Sequence, residues 1–135
     1  MRRLNTCLFA IALIAASGCG RSPKEPKAME PYVFTIPTPP MSLDDEGKAA
    51  YLRLHYWDRF DFSDTTILAR FDSTKLARAF VQFVELVAEA PSTAPMDSLA
   101  HKAAGSRAMM EQFFHLSEST LHDPNSQWRS DPLYI

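Results

Sequence analysis

The chain has 135 residues, 46% hydrophobic and 22% charged, enough apolar material for one folded domain with short extensions. Its formal net charge of −2 excludes a general nucleic-acid binder, which needs a basic excess. Both cysteines, Cys7 and Cys19, lie in the N-terminal tip, and six of the ten prolines fall between Pro23 and Pro40.

Met1 to Gly18 has the three parts of an export signal: Arg2 and Arg3, an apolar run from Cys7 to Ala16, then small Ser17 and Gly18. Ten residues rising about 1.5 Å each cover about half of a bilayer core of roughly 30 Å, which argues against a permanent span. The order Ala16-Ser17-Gly18-Cys19 resembles a bacterial lipoprotein box. That resemblance implies a diacylglyceryl group on the Cys19 thiol and a cut just before it. The alternative is an ordinary secretory signal with a chance cysteine. On the lipoprotein reading Cys7 leaves with the signal and no free thiol remains. Two or more acyl chains then give stable anchoring. Gly20 in place of an aspartate, with no strong acidic run after it, favours the periplasmic face of the outer membrane.

The predicted organisation is a signal over 1–18, a lipidated cysteine and proline-rich tether over 19–41, and a helical domain over 42–135. Within the tether Tyr32, Phe34 and Ile36 alternate and are expected to pack on the domain. Ser42 and Asp45 match a capping box, followed by a helix to about Phe60. Its apolar stripe is Ala50, Leu54 and Trp57, with Tyr56 and Phe60 beside it. Asp61 to Arg70 breaks the period and predicts a loop with a short extended or single-turn piece. Ser73 is the expected cap of a helix over Lys75 to Glu89, where Leu76, Phe80, Phe83, Val84 and Val87 recur at helical spacing. Pro91 and Pro95 bracket a turn. A third helical region runs from about Met96 to Leu121, and Gly105 marks either a weak point or a break into two helices. Leu99 and Ala103 share one face; Met109 or Met110, Phe113, Leu116 and Thr120 continue a stripe. Asp123-Pro124-Asn125-Ser126 is a stop and turn. Asp131-Pro132 reads as an N-cap and first-turn pair opening a helix too short to stand alone. Leu133 to Ile135 therefore either dock as a tail or open a segment of something longer. The fold class is all-α, a small irregular bundle of three to four helices.

Three stretches, KAAYLRLHYWDRFDFSDTTIL (Lys48 to Leu68), AFVQFVELV (Ala79 to Val87) and FFHLSESTLHDPNSQWR (Phe113 to Arg129), resemble a Bacteroidetes lipoprotein domain of unknown function. The resemblance covers roughly Pro31 to Ile135, and its most specific pieces are HYWDRFDFSD and LHDPNS. It implies a helical domain that often precedes a thioredoxin-like domain. In that family the pattern runs on past the DPNS turn, whereas this sequence ends at Ile135 and holds no Cys-x-x-Cys pair. The resemblance therefore implies no oxidoreductase activity for these residues themselves, and it brings no catalytic residues.

Chemistry-bearing clusters are few. His55 and Asp58 are helix neighbours that could orient one another, but with Trp57 they fit a helix end around a core tryptophan better. Asp58, Asp61 and Asp64 lack the glycine and terminal glutamate of an EF-hand, so Asp61 and Asp64 are expected to cap backbone donors. His101, His115 and His122 match no zinc spacing, and no Gly-x-Ser-x-Gly elbow is present. No cofactor, metal or catalytic residue is expected. Met109, Met110, Phe113 and Phe114 form an apolar cluster that is either core or a face for a partner. The main functional expectation is a non-enzymatic, lipid-anchored interaction module; the alternative is the accessory part of a thioredoxin-like oxidoreductase.

Overall fold

A computed structural model describes residues 28–90 and 92–134. The signal, Cys19, the first part of the tether, Pro91 and Ile135 lie outside the described residues. The architecture is all-α: α1 (Asp45–His55), α2 (Ile67–Arg70), α3 (Ser73–Ala88), α4 (Ala94–Ala103) and α5 (Arg107–Ser117). A π-helical turn (Glu118–His122) continues α5, and a 3-10 turn (Asp131–Leu133) follows.

Helix α1 begins two residues later than the capping box suggests. Asp44, not Ser42, is the cap, and its carboxylate accepts from the Gly47 amide at 2.8 Å. The helix also stops at His55 rather than Phe60. Beyond it, Asp58 N–H bonds His55 O and Phe60 N–H bonds Trp57 O, a tighter i to i+3 winding. That winding turns neighbours Tyr56 and Trp57 inward together, at 1% and 3% exposure, where a regular helix would part them by about 100°. The expected stripe is corrected accordingly: Leu54 is 63% exposed and Ala50 is exposed, while Tyr56, Trp57 and Phe60 carry the core.

The single turn α2 falls within the loop expected there. Helix α3 buries Leu76, Phe80, Phe83, Val84 and Val87, the periodic face read from the sequence, and Ala79 as well. Its cap is Asp72 instead of Ser73: the anionic carboxylate takes both the Thr74 and Lys75 amides at 2.8 and 3.1 Å, and Ser73 becomes the first helical residue. Arg53 is nearly buried and joins α1 to α3, with Nε donating to Leu86 O at 2.8 Å and Nη1 to Glu46 at 2.9 Å.

The third helical region is two helices. Ala104, Gly105 and Ser106 break it, with Ser106 in extended backbone. After Ser117 the chain widens by one residue per turn, so Asp123 N–H reaches back to Glu118 O at 3.0 Å. Thr120 and Leu121 are thereby both buried, and the Ser126 hydroxyl and Ser130 amide satisfy their carbonyls. The DPNS turn forms as expected, Asp123 Oδ1 accepting from the Asn125 amide at 2.8 Å. Asp131 is not a side-chain cap: it lies near Arg129 at 3.9 Å, and Ser130 flanks the turn. Leu133 enters the core, and the Tyr134 ring stacks on His122 at 4.8 Å.

Residues 28–40 lie across this bundle as an extended strap. Tyr32 N–H bonds Arg70 O at 3.1 Å and its hydroxyl donates to Arg59 O at 3.2 Å. Phe34 stacks on Trp57 at 5.2 Å and meets Phe60 edge-on. Pro37 is buried, whereas Ile36 stays 39% exposed, so the alternation holds for two of its three expected members.

Candidate functional site

Helical spacing divides the four-residue apolar cluster on α5. Met109 and Phe113 are fully buried, Phe113 meeting Trp57 and Phe60 edge-on at 5.2 and 5.7 Å. Met110 and Phe114, one residue further round and also i,i+4, are 49% and 43% exposed. They border a cavity of about 350 Å³ whose other walls are Phe113 on α5, Ala100, His101 and Ala103 on α4, and Ala104 just past the end of α4. Tyr134 approaches Phe114 at 6.1 Å, so the end of the described chain lies at this apolar margin. Half of the expected partner face is therefore core, and half is surface.

The polar clusters act within the fold. Asp58 receives Lys102 Nζ at 2.8 Å and His55 Nδ1 at 2.6 Å, which ties the turn after α1 to α4. Lys102, then His55, holds its carboxyl below the usual carboxylate value. The Tyr51 ring packs against His55 at 4.3 Å, tilted by 32°. Asp61 accepts from the Ser63 amide and hydroxyl, and Asp64 from those of Thr66, with Arg70 closing on Asp64 at 2.7 Å. These bonds lower both carboxyls and account for the aspartates as loop caps. Among the described residues no three His, Cys, Asp or Glu side chains are grouped to hold a metal ion. His115 and His122 border a broad open cleft of about 730 Å³ with Glu118, Asp123 and Arg129, where charges of both signs mix. His101 lies apart, on α4.

A second feature went unread in the sequence. Between the strap and the first half of α3 lies a cleft of about 190 Å³. The strap contributes Val33, Phe34 and Ile36; α3 contributes Lys75, Arg78 and Gln82. The signal was present in the i, i+3, i+7 spacing of those three polar residues, which puts them on one helix face. The strap's position across that face was not legible.

Such an arrangement defines a small helical domain with apolar and mixed surfaces. The chain belongs to the family described as "Domain of unknown function (DUF5106)", whose model matches residues 18–135. Among solved structures it is similar to the crystal structure of a thioredoxin-like protein from Bacteroides caccae, with a TM-score of 0.69 at 23% identity. The match covers 76% of this chain and 38% of that one, so the chain spans well under half of the neighbour's length. At that identity the likeness establishes the shared helical fold. No curated protein matches the chain.

Proposed function

We propose that this is a lipid-anchored envelope protein of Bacteroidetes type whose helical domain is a non-enzymatic interaction module, held by acyl chains on Cys19 at the periplasmic face of the outer membrane. The observation that carries the module reading is the split of α5. The helix that buries Met109 and Phe113 also presents Met110 and Phe114 beside an apolar cavity, and exposed apolar pairs of this kind serve partners. No helix among the described residues is long and apolar enough to cross a membrane.

A second reading, in which the partner is a thioredoxin-like domain and this domain is its accessory part, is favoured by the solved neighbour. The chain holds no Cys-x-x-Cys, so it would contribute position rather than thiol chemistry.

Two measurements test the proposal. Intact mass of the membrane-extracted protein should show the loss of residues 1–18 and the gain of acyl chains, both abolished by Cys19→Ala; an unmodified Cys19 in a membrane-free chain would refute the anchor. A photo-crosslinking residue at position 114 should give a discrete adduct in the envelope, and one at exposed Leu54 should not. Equal labelling from both positions would refute the module face.

A further inference from the structure

We propose that the cleft between the strap and α3 binds the headgroup phosphate of an anionic phospholipid, with the acyl portion lying along the exposed apolar side chains of the strap. The inference rests on the anchored reading only in so far as that reading brings a bilayer to the cleft.

Charge is the first argument. Lys48, Arg53, Arg70, Lys102 and Arg107 are each paired with a carboxylate. Lys75 and Arg78 are exposed and make no ion pair among the described residues. Arg59, whose carbonyl receives the Tyr32 hydroxyl, is likewise unpaired. The nearest acid in sequence, Asp72, is committed to the Thr74 and Lys75 amides. Glu85 and Glu89 border an adjoining cleft further along α3, which meets this one at Ile36 and Gln82. The exposed face of α3 thus runs from basic at its start to acidic at its end, a polarity that orients the domain on a negative surface with Lys75 nearest.

Donor geometry is the second. The Tyr56 hydroxyl donates to Ala79 O at 2.9 Å and lies 3.2 Å from the Gln82 side-chain amide, which holds Gln82 at the end of the cleft. Lys75 and Arg78 present an ammonium and a guanidinium to one cleft, beside the Gln82 amide, a set suited to phosphate oxygens.

Shape and apolar lining are the third. The opposite wall is Phe34 and Ile36, and Val33 points outward at 76% exposure. A volume of about 190 Å³ is too small for a whole lipid but accommodates a phosphate ester and its first carbons. A free inorganic anion gains nothing from the apolar wall; a bare hydrocarbon gains nothing from the cations. An anionic amphiphile uses both.

The test is a titration of the purified full chain, followed by NMR of the Val33 and Ile36 methyls, the Arg78 Nε–H and the Gln82 amide. The probes are monomeric dihexanoyl phosphatidic acid, dihexanoyl phosphatidylcholine and inorganic phosphate. Phosphatidic acid should shift those four signals saturably, and the Lys75→Gln/Arg78→Gln double variant should lose about tenfold or more in affinity while keeping its melting curve. Absence of saturation, or equal affinity in the variant, overturns the proposal. Equal binding of phosphatidylcholine reduces the cleft to an apolar crevice, and equal binding of inorganic phosphate reduces it to a free-anion site; either result also overturns it. The titration needs no acylated cysteine, so its failure is separate from failure of the anchor, which the mass measurement reads.

Discussion

Arg53 gives the sharpest test of how α1 is held to α3. Its side chain is 8% exposed, and its Nε donates to a backbone carbonyl 33 residues away, Leu86 O, at 2.8 Å. The partner on its other side, Glu46, is 78% exposed and therefore screened. The bond from a charged donor to a part-buried carbonyl contributes about 1.5–3 kcal/mol, and the buried stem adds packing. Arg53→Ala is expected to cost about 2–3 kcal/mol, and Arg53→Met less, because it keeps the stem. Glu46→Gln should cost under about 0.5 kcal/mol. For a domain near 100 residues, each kcal/mol lowers Tm by about 4–8 °C, so Arg53→Ala should melt about 10–20 °C below the wild type. Thermal melts by circular dichroism, with urea unfolding as a check, read all three variants. If Glu46→Gln were as damaging as Arg53→Ala, the ion pair rather than the carbonyl bond would hold the helices. A loss under about 0.5 kcal/mol for Arg53→Ala would refute the clamp altogether.

Asp72→Ala should destabilise by about 1–2 kcal/mol by freeing the Thr74 and Lys75 amides, while Ser73→Ala should be close to neutral; denaturant midpoints distinguish them. Gly105→Ala should be neutral or stabilising by up to about 1 kcal/mol, since the added carbon meets only Lys102 O at 3.5 Å. Gly47→Ala should cost about 1 kcal/mol, because its carbon would stand 2.9 Å from the capping oxygen of Asp44 and displace it. Asp58 has a folded pKa below its usual 3.8, so its contribution is present above that value and is lost as pH falls through the lower folded pKa. The stability difference between wild type and Asp58→Asn should therefore shrink below about pH 4; a difference unchanged down to pH 2 would contradict the Lys102 and His55 contacts. Burial pushes the Tyr56 phenol up to about 12, so spectrophotometric titration should show a late tyrosine step that Tyr56→Phe removes.

Elements whose partners are close in the sequence were legible; those set by distant contacts were not. The α3 face was readable because six buried residues recur within one sixteen-residue helix. The choice between Asp72 and Ser73 as its cap turned on which oxygen reaches two amides, a matter of one residue that periodicity does not resolve. The end of α1 was misplaced because a helix continuing to Phe60 and the tighter winding observed have the same composition. What decides is that Phe34, Phe83 and Phe113, from three distant segments, form the aromatic nest around Trp57. On α5 the apolar cluster was visible, but its division into core and surface pairs depends on where α4 sits. The cleft beside Lys75 and Arg78 was least accessible of all, since one wall is a strap without regular structure.

The docked strap also changes what an anchor at Cys19 would do. A tether free over 19–41 could hold the domain far from a bilayer, yet Tyr32 is already fixed to Arg70 and Arg59. Tyr32 follows Cys19 by thirteen positions, which span at most about 45 Å fully extended. The basic end of α3 lies beside that fixed point, because Phe71 packs on Tyr32 at 5.4 Å and Asp72 opens the helix. If Cys19 carries the proposed lipid, the cleft would meet headgroups at the millimolar or higher effective concentration of a short linkage. Two cations would then suffice: a site of only millimolar intrinsic affinity would be substantially occupied on an anionic leaflet. Releasing the strap should dissolve this coupling. Tyr32→Ala/Phe34→Ala removes the fixed point and one apolar wall while leaving Lys75 and Arg78 in place. That variant should keep its acyl chains yet lose the phosphatidic acid response, whereas an undiminished response would show that α3 binds without the strap.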